Sequence, residues 1–343
     1  MRIKKVAFLT GAGGQDGSYL ARFLLEKNYK VWGIVKRNSV AENQTSRLQD
    51  LFKKELHKKL ELVYGDMTDM SSLIRVLQDS RPDEIYNLAA QSHVRISFDQ
   101  PIYTSQTNAI GTLNLLEAIK LITPNAKFYQ ASSSEMFGNN IDSDGFQRET
   151  TPKNPVSPYG CSKLFAYNIT RNYRHSYKLF ASNGILFNHE SPVRGTNFVT
   201  NKIVKRATEI KLGLENELVL GNIDAKRDWG HAKDYAKAMW LILQQDSPDD
   251  FVCATGVSHS VKELLEYVFA SLGLDWKNYV KIDKKYLRPE ELNELRGDST
   301  KLRNATGWKP EITFEEMLDE MIEYWKKYYM INGDKRNENM RTS

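Results

Sequence analysis

The sequence is short of the features that mark secreted, stapled or membrane-bound proteins. Only Cys161 and Cys253 are present among 343 residues; two thiols build no disulfide framework, and neither belongs to a C-x-x-C pair. A reducing, cytoplasmic compartment is the expectation. No apolar run approaches the roughly 18–20 residues that cross a bilayer. Met1-Arg2-Ile3-Lys4-Lys5 followed by Val6-Ala7-Phe8-Leu9 has the basic-then-apolar order of a signal peptide. The run stops at Thr10-Gly11, however, short of the ~7–15 residues such a segment needs, and reads instead as a buried first strand. The six histidines show neither H-x-H nor H-E-x-x-H spacing, so no protein-built metal site is expected. Charge of one sign is scarce too. The 48 basic and 43 acidic residues leave +5, too slight an excess to favour a nucleic acid over a small anionic ligand.

What remains is an ordinary globular composition, with enough chain for one large or two closely joined domains. In the first half, short apolar runs at 6–10, 31–35, 60–64, 84–88, 127–132 and 180–186 read as buried parallel strands. Helical periodicity separates them at 18–26, 46–57, 71–79, 108–122 and 159–175. Such alternation predicts an α/β fold with a doubly wound parallel sheet, because parallel strands need crossover helices. Beyond 187 the pattern loosens. Residues 188–201 and 221–231 read as loops, and 234–245, 261–272 and 314–329 as amphipathic helices. Residues 1–187 with 223–256 are therefore assigned to a cofactor domain. Residues 188–222 with 257–331 form a smaller, interleaved substrate domain, and the polar 332–343 a frayed, flexible tail.

The first strand runs directly into Thr10-Gly11-Ala12-Gly13-Gly14-Gln15-Asp16-Gly17 and then a helix. Gly11, Gly14 and Gly17 let backbone N–H groups approach a pyrophosphate, with Gln15 and Asp16 opening a helix whose N-terminus attracts the anion. A glycine cluster by itself is weak evidence; the strand-to-helix context makes this a Rossmann-type dinucleotide site. At the end of the second strand an acid would hold a ribose 2′-OH. Here Val35-Lys36-Arg37-Asn38-Ser39 offers a base and a hydroxyl, so Arg37, Asn38 and Ser39 are expected on a 2′-phosphate and the cofactor is NADP rather than NAD. The bland alternative is a solvated basic loop. In Gly65-Asp66-Met67, Asp66 either accepts from an adenine amine or caps the next helix.

The chemistry-bearing set follows. Tyr159 and Lys163 lie four apart at the start of a predicted helix and share a face, so the ammonium is expected to lower the phenol's pKa. Upstream, Ser132-Ser133-Ser134-Glu135 ends a strand, and strand C-termini face the ligand crevice in such sheets. A serine there can hold a reacting alcohol, and a carboxylate can remove a proton made acidic by a neighbouring ketone. A surface acid on a loop is the competing reading of Glu135.

These residues resemble the extended short-chain dehydrogenase/reductase superfamily and, within it, the GDP-mannose 4,6-dehydratase family, across nearly the whole chain from Val6 to about Pro310. Three segments are specific: Gly14-Gln15-Asp16-Gly17-Ser18-Tyr19-Leu20; Asn183 through Phe187 to Asn188-His189-Glu190-Ser191-Pro192; and Asp224-Ala225-Lys226-Arg227-Asp228-Trp229-Gly230-His231-Ala232-Lys233-Asp234-Tyr235. The resemblance implies conversion of GDP-mannose to GDP-4-dehydro-6-deoxymannose, the precursor of GDP-fucose and related deoxy sugars, with bound NADP regenerated each cycle. It implies Tyr159 as the base at the C4 hydroxyl, Ser133 as its orienting partner, Glu135 as the base at C5, and Lys163 on the nicotinamide ribose. Leu88, Ala90, Ser92, Tyr103, His189 and Arg194 would line the cofactor. Ser92, Asn188, Lys202, Arg227 and Arg288 would face the GDP-sugar, the two guanidinium forks suiting a pyrophosphate. The loop from Lys36 to Arg47 resembles one that reaches a neighbouring subunit, which implies a homotetramer or dimer.

The chain departs from the family pattern in places. Ser133 stands where Thr is usual, Lys36-Arg37-Asn38-Ser39 where Arg-Arg precedes Ser-Ser, Val193 where Arg is common, and Leu287-Arg288-Pro289-Glu290-Glu291-Leu292-Asn293 in place of Arg-Pro-Thr-Glu-Val-Asp. A 4-epimerase or reductase is the competing enzyme reading, disfavoured because neither needs a base at C5. A non-catalytic NADP sensor has no use for the full proton-transfer set.

Overall fold

The computed structural model describes residues 5–36, 46–48, 56–283, 285 and 289–341, in backbone alone at 46, 56–57 and 332–341. The strands are β1 (Val6–Thr10), β2 (Lys30–Val35), β3 (Leu60–Tyr64), β4 (Glu84–Asn87), β5 (Lys127–Ser133), β6 (Ala181–Leu186), β7 (Asn188–Glu190), β8 (Leu218–Leu220), β9 (Lys226–His231), β10 (Asp250–Cys253), β11 (Ser258–Ser260), β12 (Val280–Ile282) and β13 (Glu294–Leu295). Seven of them form one parallel sheet in the order β10-β6-β5-β4-β1-β2-β3. The direction of winding reverses between β1 and β4, and this is where a doubly wound sheet opens its crevice.

Helices cover both faces because the strands are apolar on both. On one side Leu20 and Leu24 of the helix Gln15–Glu26 pack with Met239 and Ile242 of Ala232–Leu243. On the other, Leu73 and Leu77 of Met70–Ser80 meet Leu115 and Ile119 of Gly111–Ile122. A second core gathers Ile203, Leu264, Phe269, Met317 and Trp325 from the helices Val199–Lys211, Val261–Ser271 and Phe314–Arg341. A smaller cluster that includes Met136, Phe137, Phe187, Leu292 and Leu295 joins this lobe to the ends of β5 and β6.

The six expected strands of the first half are present to within one residue at each end. Three readings are corrected. Segments taken as loops contain β7 and β9, which pair in parallel with each other, while β9 also pairs with β11 and β13. These strands are short and polar, and their partners are distant in sequence, so no local apolar period announces them. The helix expected over 46–57 is represented, among the described residues, by 3-10 turns at Ser46–Leu48 and Leu56–Lys59. The final helix, expected over 314–329, continues to Arg341 in backbone.

Candidate active site

A cleft of about 900 Å³ opens at the C-terminal ends of the central strands. Every described residue assigned above to cofactor, sugar nucleotide or chemistry lines it: Gly11, Gly14, Gln15, Asp16 and Gly17 from the first turn, Asp66 and Met67 after β3, Leu88, Ala90 and Ser92 after β4, then Tyr103, Ser133, Glu135, Tyr159, Lys163, Asn188, His189, Arg194, Lys202 and Arg227. Arg37, Asn38, Ser39 and Arg288 lie outside the described residues.

The glycine turn is tight. A Cβ on Gly17 would stand 2.2 Å from Gly11 O and 2.7 Å from Ala12 Cα, so only glycine lets the helix start against the strand. Gly14 is the N-cap and supplies no side-chain acceptor to the first-turn N–H groups. Those donors suit an anion. Thr107 Oγ1, buried on the cleft wall, has no hydrogen-bond partner among the described residues. An uncapped helix end and an orphaned hydroxyl in one cleft fit a dinucleotide.

Asp16 is tied across the cleft to the 188–194 segment. His189 Nε2 lies 3.0 Å from Asp16 Oδ2, its Nδ1 2.7 Å from Phe187 O, and its ring stacks on Tyr235. Gln15 donates to His189 O at 3.1 Å and accepts from Ser191 Oγ at 2.8 Å. Burial opposes both charges, yet the His189 and Arg194 cations hold the Asp16 carboxyl well below the usual range, and Asp16 raises His189. Arg194 Nε pairs with Glu190 at 3.1 Å while its guanidinium lies 3.6 Å over the Phe198 ring.

Asp66 is not the cap of the helix Met70–Ser80. That role belongs to Asp69, which accepts from the N–H groups of Ser71 and Ser72. The Asp66 carboxylate accepts from Thr68 N and pairs with Lys36 at 3.0 Å; Lys36 Nζ also lies 3.4 Å from the Tyr103 hydroxyl.

The catalytic candidates meet where β5 ends beside the helix Pro158–Ser176. Ser157 caps that helix through Gly160 N, and Pro158 at its first position presets the backbone. Tyr159 and Lys163 are buried one turn apart. Glu135, also buried, sits in the 3-10 turn Ser134–Phe137 and so is not a surface acid; Ser133 Oγ accepts from Glu135 N at 3.3 Å. The expected lowering of the Tyr159 pKa is not met. Burial pushes the phenol up to about 12, with Glu135 adding to the rise and a hydrogen bond from Ser133 opposing it. Lys163 donates to Ala131 O at 2.8 Å, its Nζ 5.9 Å from the Tyr159 ring centre, and burial lowers it to about 8. Desolvation is the largest influence on both groups.

Arg227 is buried in β9 rather than exposed on a loop, its Nη1 donating to Lys226 O at 2.8 Å and Leu292 O at 3.1 Å. Lys202 Nζ donates to Val219 O at 2.7 Å. Among the described residues no group of three or more His, Cys, Asp or Glu is placed to hold a metal ion, and no helix is long and apolar enough to cross a membrane.

Sequence reasoning missed residues that position the set. Thr10 Oγ1 accepts from Leu88 N and Ala89 N, each at 3.0 Å, fixing the cofactor-side loop to β1. Asn108 clamps Gln91 through both its N–H and its carbonyl and donates to Ser162 Oγ at 3.0 Å, so the loop and the Tyr159 helix share one clasp. Arg47 donates to Gly13 O at 3.1 Å and Val193 O at 2.8 Å. The available signal for Asn108 was a polar residue three places before Gly111, where a π-turn interrupts the helical pattern.

A family profile described as GDP-mannose 4,6 dehydratase matches residues 8–321. GDP-mannose 4,6 dehydratase 1 of Arabidopsis thaliana is 51% identical over 327 residues, covering 93% of this chain and 89% of that protein. The human GDP-mannose 4,6 dehydratase is 49% identical over 341 residues, covering 93% and 91%. Among solved structures, the dTDP-glucose 4,6-dehydratase DesIV of Streptomyces venezuelae, with NAD and TYD bound, superposes with a TM-score of 0.82 at 25% identity, covering 94% of this chain and 98% of that one. With the cleft built as described, the chain belongs to the GDP-mannose 4,6-dehydratase family.

Proposed function

We propose that the protein converts GDP-mannose to GDP-4-dehydro-6-deoxymannose and water, with NADP as its resident cofactor. The observation that carries this is the meeting of a buried carboxylate, Glu135, with Ser133, Tyr159 and Lys163 at the dinucleotide crevice. A 4-epimerase or simple reductase has no need of that carboxylate, because neither reaction breaks a bond at C5.

When bound, the oxidised dinucleotide supplies a hydride acceptor beside C4, a positive ring that favours a Tyr159 phenolate, and the hydride later placed on C6. Tyr159 takes the proton of the C4 hydroxyl while Ser133, hydrogen-bonded to it, holds the C4 oxygen. The new C4 ketone makes C5–H acidic. Glu135 takes that proton and passes it to the C6 hydroxyl, which leaves as water when the C6–O bond breaks. A proton then goes to C5, balancing the one taken from the C4 hydroxyl. Lys163 holds the ribose side of the site, and Arg227 and Lys202 face the diphosphate. The NADP preference rests on Arg37 and Ser39 in the sequence.

The test is to mix the purified protein with GDP-mannose, dTDP-glucose or UDP-glucose and follow the alkali-induced ultraviolet absorbance of a 4-keto sugar. Signal from GDP-mannose alone is expected; signal from either of the others, with none from GDP-mannose, overturns the substrate.

A further inference from the structure

The turn that carries Glu135 ends at Gly138, whose φ of +61° and close approach to Asn154 O (a Cβ would lie 1.9 Å away) make it a fixed corner. The next residue, the exposed Asn139, reaches the backbone of residues 291–293. Its Nδ2 donates to Glu291 O at 3.1 Å, and its Oδ1 accepts from Asn293 N at 3.1 Å. One amide side chain thus grips the backbone on both sides of Leu292, as a neighbouring strand would. The gripped tripeptide is held from its far side by the diphosphate-facing strand. Leu292 O accepts from Arg227 Nη1, and Asn293 O accepts from Lys226 N at 2.9 Å. Beneath it, the fully buried Leu292 side chain belongs to one apolar cluster with Met136 and Phe137, the residues that follow Glu135.

We infer that Asn139 is a positioning residue that couples the proton-abstracting turn to the diphosphate-binding segment, so that engagement of the substrate's diphosphate by Arg227 sets the placement of Glu135 against C5. The inference rests on the proposed reading of Arg227 and Glu135. Its basis is mechanical. A polar side chain that bridges Glu135's turn to the 291–293 backbone comes from the residue just past the corner. A small misplacement of a catalytic group costs rate disproportionately.

The experiment uses the NADP-loaded enzyme with GDP-mannose and compares wild type, Asn139→Asp and Asn139→Ala. Aspartate keeps the acceptor for Asn293 N and loses the donor to Glu291 O. The expected result is a graded defect. KM for GDP-mannose rises and the water-elimination rate in single turnover falls, each about threefold in Asn139→Asp and about tenfold in Asn139→Ala, the scale of one and two lost hydrogen bonds. NADP affinity and melting temperature stay at wild-type values. Wild-type KM and elimination rate in Asn139→Ala overturn the coupling, as does a defect that appears only in step with a lowered melting temperature. A wild-type enzyme silent on GDP-mannose fails the functional reading itself, a result separable from either.

Discussion

Glu135 and Lys163 show how one cleft shapes two ionisable groups. Glu135 is buried beside Ser133 in a turn whose backbone is pinned at both ends. Replacing it with glutamine keeps shape and removes the base. Glu135→Gln is expected to lower GDP-mannose turnover by at least about 100-fold, and to stop solvent exchange at C5, while nicotinamide-cofactor binding and melting temperature hold. Near-normal turnover would remove Glu135 from the mechanism. Lys163 is lowered from the usual 10.5 to about 8 by burial, with Asp16 acting weakly against that change. The folded chain therefore holds this proton less tightly than the unfolded chain, so the group costs stability below about 8. That cost is relieved as pH rises from about 8 to 10.5. The size implied is about 3 kcal/mol. Lys163→Met is expected to be inactive but to melt at or above wild type at pH 7, with the difference moving against the variant as pH approaches 10. A variant equally destabilised at both pH values would contradict this account of the lysine.

At the scale of elements, the strand–turn–helix at the first glycines was legible because its steric demand is local. Gly17 faces Gly11 only six residues away, and Gly17→Ala is expected to cost about 1–3 kcal/mol and to weaken nicotinamide-cofactor binding, read by a lower urea midpoint and a cofactor titration. The Ser157-Pro158 start of the Tyr159 helix is equally local. The strands β7 and β9 were not legible. Lys226-Arg227-Asp228 carries no apolar alternation, and its strand form comes from pairing with residues 188–190, 258–260 and 294–295. Arg227 consequently sits buried on a strand where a loop is expected from sequence. The Tyr159 pKa was misread for a related reason. Its i, i+4 relation to Lys163 could be read from spacing, but the depth of the cleft that desolvates both depends on the assembled fold.

For the whole molecule, the slight +5 charge matters through placement. Lys36 and Asp66 bridge β2 to the turn after β3, and Arg47, Arg194, Lys202 and Arg227 line a single cleft sized for small anionic molecules. The family resemblance implies a tetramer or dimer, so light scattering is expected to give about 158 or 79 kDa, four or two times 39.5 kDa; a mass near 39.5 kDa contradicts both. The central claim is that one chain oxidises C4, removes water across C5 and C6, and returns the same hydrogen to C6. The most direct test is to turn over GDP-mannose carrying deuterium at C4 and locate the label by nuclear magnetic resonance. The expected result is a 4-keto product with deuterium at C6 and, when the reaction is run in heavy water, a second deuterium at C5. Label lost to solvent, or recovered at C4 of an epimerised sugar, would contradict it.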